Sequence, residues 1–412
     1  MISIYFLAAF WFLAAVVSTI LANRLKISMA LMEIVVGAAI GFTAYKLGYL
    51  DNLTLNADWL KFCTGIGAIL LTFLAGAELN PDTIKTKIKE VLVIGLIGFF
   101  APFIGCSLIA YYIIGWNFQA SLLCGIALST TSMAVVYAVM LEYGFNKTEY
   151  GKGILGACFI NDLGTVIGLG LIFAPFTYKT LIFIAVTILL IIILPYVTRF
   201  IIKYFAYKTA AIRTKWILFI LLSLGVLAMW SGSEPVLPAY IIGMVLSKTI
   251  EKDILFARRI RTLTIGFFTS LYFLRAGALV SIPALLAAPL IFILLLLGKV
   301  ASKIFGLYPA IRIFRKHKKE RWNYNFKKYT KERWYYTLLM STGLTFGTIS
   351  ALYGLTNNII TQEQYSYLVG TVIASAVIPT IIANKFFLPK HLLEEPILDD
   401  EFSELDSIEK KY

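Results

Sequence analysis

Long uninterrupted runs of apolar residues, separated by short polar or Pro/Gly-marked breaks, dominate the chain. The runs do not alternate apolar with polar residues as barrel strands do, so they predict helices. A helix rises about 1.5 Å per residue and the hydrocarbon core of a bilayer is about 30 Å thick, so a span needs roughly 20 such residues. The pattern predicts about thirteen spans, at approximately 3–22, 28–48, 60–79, 91–114, 119–141, 153–173, 180–199, 215–232, 235–249, 262–280, 283–306, 336–354 and 365–387.

Composition supports a membrane protein. Of the 412 residues, 59% are hydrophobic and only 15% are charged, and the mean hydropathy is +0.81. A soluble surface cannot be assembled from such a chain, so we expect an all-α polytopic membrane protein. The first span lacks a basic leading segment and a small-residue cleavage site, which predicts a retained anchor and not a cleaved signal peptide.

The basic residues are distributed unevenly among the connections. Those after odd-numbered spans contain most of them, at Arg24 and Lys26, Lys85 to Lys89, Arg199 to Lys215, Arg258 to Arg261, and between Arg312 and Arg333. Because cytoplasmic loops are enriched in Lys and Arg, this predicts a cell-membrane protein with the N-terminus outside and the C-terminus inside. The same asymmetry explains most of the net charge of +14, so nucleic-acid binding is not needed to explain it.

Two segments stand apart from the predicted transport domain, 1–388. The basic, aromatic loop 312–335 is typical of a cytoplasmic connection lying on anionic lipid headgroups, although a regulatory-ligand site is the alternative. The acidic tail, 389–412, is expected to be a solvated cytoplasmic end that could touch this loop.

Few ionisable residues lie away from the ends of the predicted spans. They are Glu33, Asp162, Arg275 and Lys299. A charge at the centre of a spanning helix costs roughly 2.5–3.5 kcal/mol on insertion scales, so each should face a partner or a wet cavity. We expect Glu33 and Arg275 to compensate each other as a pair, whereas Lys299 either compensates a core acid or extends its long side chain to the interface.

Other ionisable groups are placed differently. Glu78 and Lys303 fall near predicted cytoplasmic ends, where helix termini or water can satisfy them. Asp162 has a short side chain in the middle of its span and cannot reach the interface, so we expect it to be functional. The neighbouring Asn161 would add an amide to the same site.

Two spans contain hydroxyl-rich interruptions. Ser129 to Ser132 are four consecutive hydroxyl residues in the fifth span, and Ser341, Thr342 and Gly343 interrupt the twelfth. Hydroxyls in a row compete for backbone partners, which predicts broken helices, although ordinary bonding to the preceding turn is the alternative.

The positions of the interruptions favour an inverted repeat. Each is the fifth member of a six-span half, and matching interruptions in inverted halves indicate a transporter's midplane site. The predicted division is a first repeat, a linker helix and loop, and a second repeat, over 1–178, 179–214 and 215–388. A shift of about 212 residues takes Asp162 to Ala374, so the acid would occur in one half only.

The sequence has few residues for metal binding or for histidine-based acid–base catalysis. The four cysteines fall inside spans without a metal-ligand spacing, and both histidines, His317 and His391, lie at the cytoplasmic edge. We therefore expect no enzyme activity and no cofactor.

Several motifs carry a family resemblance over about residues 3 to 388. They are "LLTFLAGAELNP", "LSTTSMAVVYAV", "FINDLGTV", "PAYIIGMVLSKT" and "LLGKVASKIFG". The chain resembles the monovalent cation:proton antiporter superfamily, in particular the Kef-type and Nap-type exchangers. The resemblance implies a homodimer in which each chain has an interface domain and a core domain, with two broken helices crossing beside an acid.

The resemblance also implies roles for individual residues. Asp162 matches the carboxylate that binds either the cation or the proton, and Lys299 matches a lysine that pairs with a core acid. Thr131 and Ser132 fall where oxygens of the broken helix complete the ion shell. Asn161 is usual in electroneutral branches whereas Lys299 is usual in electrogenic ones, so the stoichiometry stays open.

The residue chemistry itself favours exchange. Burial favours the neutral acid and a nearby cation favours the carboxylate, so one site can hold either a proton or Na⁺. We expect a Na⁺/H⁺ antiporter in which the two ions compete for Asp162 with alternating access. The alternatives are K⁺/H⁺ exchange, a sodium-coupled symporter whose organic anion is held by Arg275, a channel and an intramembrane enzyme.

Overall fold

The structure is a computed structural model and is helical throughout its ordered elements. It describes the residues 2–25, 29–77, 88–143, 145, 148–173, 178–205, 211–231, 235–251, 253–315, 326–389 and 392. Three predicted features fall wholly or largely outside this range: Glu78, the middle of the basic loop at 316–325, and the acidic tail, apart from 389 and 392.

Seventeen α-helices lie in the described part of the chain. They are α1 Ile2–Leu25, α2 Met29–Leu47, α3 Asp58–Ala77, α4 Ile88–Leu108, α5 Phe118–Ser129, α6 Met133–Glu142, α7 Glu149–Phe173, α8 Tyr178–Phe205, α9 Ile212–Ser231, α10 Val236–Glu251, α11 Ile254–Leu263, α12 Ser270–Ala278, α13 Ile282–Ala287, α14 Pro289–Arg315, α15 Phe326–Met340, α16 Thr345–Thr356 and α17 Gln362–Ile382.

Short irregular turns extend some of these helices. A 3₁₀ turn lies at Asp51–Leu53, and π-helical turns lie at Ile109–Ile114, Thr264–Thr269 and Ala383–Phe387. The second π-helical turn joins α11 and α12 into one continuous helical segment.

The helices have the length and composition expected of a multi-pass membrane protein. Ten helical stretches among the described residues are long and apolar enough to cross a bilayer, and two shorter apolar helices lie at Phe118–Ser129 and Pro238–Ile250. Each of the predicted apolar runs overlaps a helical stretch within the residues that the structure describes. The protein therefore spans the membrane several times.

Both predicted helix interruptions are present. The chain leaves the α-helical conformation between Ser129, where α5 ends, and Met133, where α6 begins. It does so again between Met340, where α15 ends, and Thr345, where α16 begins. Thr130 is extended, with φ −61° and ψ 149°, so the first interruption is a real break and not a bend.

The helices pack as two groups. Group A consists of α1–α3 and α8–α12, and group B consists of α4–α7 and α13–α17. Inside group A, glycines bring helix backbones into direct contact: a Cβ at Gly76 would collide with the Tyr240 carbonyl oxygen, and one at Gly243 with that of Phe73. These two contacts hold α3 and α10 together.

Other glycines also pack within the chain. Gly37 and Gly41 on α2 face the backbone of Leu274 and Ala278 on α12. The Gly-x-x-x-Gly pattern at these positions is therefore a packing face between two helices of one chain.

Some predicted boundaries were wrong. The eleventh span was placed at 283–306, whereas α14 runs from Pro289 to Arg315 and continues beyond the apolar run. The predicted basic loop 312–335 is correspondingly shorter, because residues 312–315 and 326–335 are helical. Amphipathic helical turns at the ends of spans carry charge, so an apolar-run criterion ends the helix too early.

Candidate functional site

The two helix breaks contact each other. The backbone N–H of Ser132 donates to the carbonyl oxygen of Thr342 at 3.0 Å, and the Thr131 hydroxyl donates to the Met340 carbonyl oxygen at 2.8 Å. One break therefore satisfies backbone groups that the other leaves without helical partners.

The local sequence explains why the helices end here. The hydroxyls of Ser129 and Thr130 donate to carbonyls three residues earlier, at 2.8 and 3.1 Å, and the Thr342 hydroxyl does the same to Leu339 at 2.7 Å. Such local bonds occupy carbonyls at the end of each helix and let the chain leave the helical conformation.

Asn161 and Asp162 lie on α7, beside this crossing. The Asn161 Nδ2 atom and the end of the Met340 side chain both approach Gly98 on α4, each 3.4 Å from where a Cβ there would lie. Both residues are buried, and in the described part of the molecule the Asn161 Oδ1 and Nδ2 atoms and the Asp162 Oδ1 atom have no hydrogen-bond partner. Buried polar groups in proteins are almost always satisfied, so these atoms indicate a place for a ligand.

Two lysines, one helical turn apart on α14, are buried at the breaks. The Lys303 Nζ atom donates to the Thr131 hydroxyl at 2.9 Å, and the side chain is fully buried. The Lys299 Nζ atom lies beside Gly343, in the space that a Cβ there would need, and has no hydrogen-bond partner among the described residues.

Lys303 is the residue that the sequence reasoning missed. It was expected near a cytoplasmic helix end, but it lies fully buried near the middle of α14. The spacing of Lys299 and Lys303 contained the signal, because residues four apart share one helix face.

Glu33 and Arg275 form their hydrogen bonds elsewhere, on α2 and α12 of group A. Arg275 Nε donates to the Leu55 carbonyl oxygen at 2.7 Å, and its Nη2 atom lies 3.5 Å from the Asn56 side-chain oxygen; Glu33 is buried on α2. No ion pair joins Glu33 to Arg275 in the described ranges, so the expected pairing of these two residues was wrong. The carbonyl of Leu55 takes the place that the carboxylate was predicted to fill.

The oxygens at the crossing suit a hard monovalent cation. A carboxylate, an amide and several hydroxyl and carbonyl oxygens are the ligand types that such ions prefer. Among the residues that the structure describes, no three His, Cys, Asp or Glu side chains come together as a metal-binding group. The arrangement is therefore one acid with neutral oxygens and two lysine side chains nearby.

Comparison with known proteins gives consistent matches along most of the chain. The family model described as "Sodium/hydrogen exchanger, transmembrane" matches residues 12–387. The probable Na⁺/H⁺ antiporter 3 of Methanocaldococcus jannaschii is 27% identical over 353 residues, which cover 82% of this chain and 87% of that protein. The Na⁺/H⁺ antiporter of Enterococcus hirae is 24% identical over 396 residues, covering 90% and 95% respectively.

Solved structures match in fold. The sodium proton antiporter MjNhaP1 from Methanocaldococcus jannaschii at pH 8 superposes with a TM-score of 0.68 and 17% identity, over 95% of this chain and 99% of that one. An electron-microscopy structure of MjNhaP1 gives a TM-score of 0.59 and 16% identity, over 94% of each chain. The helical architecture is therefore shared with these structures.

Proposed function

The chain belongs to the sodium/hydrogen exchanger family, and from that premise we propose that it exchanges a monovalent cation for a proton across the membrane, most simply Na⁺ for H⁺. The observation that carries the proposal is the pair of buried residues on α7, Asn161 and Asp162, beside two touching helix breaks: the Asn161 amide and the Asp162 Oδ1 atom have no partner among the residues that the structure describes. The relatives in Methanocaldococcus jannaschii and Enterococcus hirae, described as Na⁺/H⁺ antiporters, support it.

Competition for Asp162 couples the two ions. The ionised carboxylate offers oxygens to the cation, and we propose that the Asn161 amide oxygen and the hydroxyls of Thr131 and Ser132 are the neutral ligands. A proton on the carboxyl removes its charge and with it the attraction for Na⁺. The site therefore carries either a proton or a cation, but not both. Exchange results when the site crosses the membrane with a cation in one direction and returns with a proton.

Lys303, the second buried lysine of α14, also has a role in this proposal. It donates to Thr131 at the first break, and when protonated it favours the ionised Asp162 carboxylate in a site free of cation. Lys299 supplies further positive charge at the second break. Arg275 is held by the Leu55 carbonyl and reaches the Asn56 side-chain oxygen, so its guanidinium is engaged by neutral oxygens of its own chain.

Alternating access requires the acid to face each side of the membrane in turn. In the structure Asp162 is almost fully buried, at 1% exposure, as expected of a closed state. We propose that group B, which carries Asp162 and both breaks, moves against group A. The same proposal includes two inverted repeats, a homodimer and a cytoplasmic C-terminus. It also includes contact of the basic segment with anionic lipid.

The test measures proton movement in proteoliposomes that carry an imposed pH gradient, after addition of Na⁺, Li⁺ or K⁺. Addition of Na⁺ should collapse the gradient in the wild-type protein, and Asp162→Asn should reduce this response at least 100-fold, because an amide cannot exchange a proton for a cation. A response to K⁺ and not to Na⁺ would favour the K⁺/H⁺ alternative.

The matched control is Asp51→Asn, which removes an exposed carboxyl in the Asp51–Leu53 turn and should leave exchange unchanged. Full cation-dependent proton flux in Asp162→Asn would refute the proposal.

A further inference from the structure

Tyr240 on α10 is the side chain that joins group A to the helices of the site. Its own backbone belongs to the close contact between α10 and α3, because its carbonyl oxygen faces Gly76. The side chain points the other way and is completely buried. It therefore reaches from a helix pair held together by glycine contacts towards α7 and α16.

The ring of Tyr240 contacts one aromatic residue on each of those helices. It stacks on Phe159 of α7 with the ring centroids 5.3 Å apart and the planes 21° apart. It meets the ring of Phe346 on α16 edge to face, with centroids 5.8 Å apart at 86°. Phe159 lies three residues before Asp162, and α16 begins at the second break, so Tyr240 touches both walls of the site.

The phenol group adds a directional bond to this contact. Tyr240 Oη donates to the carbonyl oxygen of Phe159 at 3.1 Å. That carbonyl lies inside α7, where the helix ladder already supplies a donor, so the tyrosine adds a second one. A buried O–H group without a hydrogen-bond partner is unfavourable in free energy. Separation of α10 from α7 at this point therefore requires the free energy of breaking this bond.

We propose that Tyr240 is a positioning residue that acts as a latch: its hydroxyl holds α7 against α10 in the closed state and is released whenever Asp162 becomes accessible. The inference rests on the proposed function, because it assumes that group B moves against group A. It goes further in naming the contact that has to break. Tyr240 does not touch the ion and acts only through the position of α7.

Cys158 provides a native reporter for this opening. It lies on α7 one turn before Asp162, is fully buried, and its sulfur is 3.4 Å from that of Met340. All four cysteines are free thiols. Replacement of the other three, Cys63, Cys106 and Cys124, by alanine leaves Cys158 as the single target for a small methanethiosulfonate reagent.

The experiment compares the rate of Cys158 labelling in this background with Tyr240, with Tyr240→Phe and with Tyr336→Phe. Tyr336 is the matched control, because its hydroxyl also donates to a carbonyl of α7, that of Gly153, at 3.1 Å, but from α15 of the same group. Tyr240→Phe keeps the ring and removes only the donor. Cys158 should be labelled roughly fivefold faster in Tyr240→Phe, the factor that the loss of one net hydrogen bond gives. In Tyr336→Phe it should be labelled at the rate of the background protein.

Unchanged or slower labelling in Tyr240→Phe, or equal acceleration in both variants, would overturn the latch. Size-exclusion profiles establish that each variant is folded. Labelling does not depend on transport, and cation-driven proton movement of the wild-type protein is measured in the same preparation. A failed latch with intact exchange therefore leaves the proposed function standing, whereas absent exchange removes the proposed function itself.

Discussion

At the scale of single residues, the site combines one acid with two buried lysines. Lys303 binds to Thr131, just after the C-terminal end of α5, and Lys299 lies beside Gly343, just after the C-terminal end of α15. The C-terminal end of a helix carries partial negative charge, which favours a cation there. Each break thus has its own lysine. The Asp162 carboxylate does not have to compensate the charges of both lysines.

We expect Lys303→Met to shift the pH dependence of exchange to more alkaline values by about one unit. Lys303 binds Thr131 at the break beside α7, and a cationic side chain near a carboxylate opposes its protonation, typically by about one pKa unit or more. The half-maximal pH of Na⁺-driven proton movement in proteoliposomes measures it.

Lys152→Met is the control for this variant. Lys152 lies on α7, the helix of Asp162, but it pairs with Glu149 at 3.7 Å on the surface, so its removal should leave the pH profile unchanged. An unaltered profile in Lys303→Met would mean that Lys303 carries no charge in the working protein.

At the scale of helices, the sequence predicted more of the architecture than of the side-chain partners. Runs of apolar residues and clustered hydroxyls are local signals, and both helix breaks were confirmed at the predicted residues. Lys303 was misplaced because α14 continues past its apolar run. The partner of Arg275 was missed because Leu55 is 220 positions away, and a backbone carbonyl leaves no trace in the sequence.

The contact between α3 and α10 can be tested directly. Gly76→Ala should lower the free energy of unfolding by about 1–3 kcal/mol, because its Cβ would meet the Tyr240 carbonyl and neither backbone can move without the other. Thermal unfolding of the detergent-solubilised protein would measure this as a lower transition temperature.

Gly65→Ala is the matched control on the same helix. A Cβ at Gly65 would meet nothing within 4 Å, and alanine is the better helix former, so this variant should be at least as stable as the wild type. Equal stability of the two variants would contradict the close contact at Gly76.

At the scale of the whole molecule, one shared site makes the two ions thermodynamic competitors. If one proton displaces one cation, the Na⁺ concentration for half-maximal exchange should rise about tenfold when the pH falls by one unit within the range where protons occupy the site. Initial rates of Na⁺-driven proton movement at pH 8 and pH 7 would show it. A half-saturating Na⁺ concentration that stays constant while only the maximal rate falls would argue against competition.

The backbone bond between Ser132 and Thr342 has a consequence for how the protein is made. It joins residues 210 positions apart, so the crossing cannot assemble until the ribosome has delivered most of the chain to the membrane. Closing so long a loop costs conformational entropy before any contact repays it. The helices that are inserted first therefore lie in the bilayer before Thr342 is available to accept the Ser132 N–H. The site is among the last parts of the molecule to form during biogenesis.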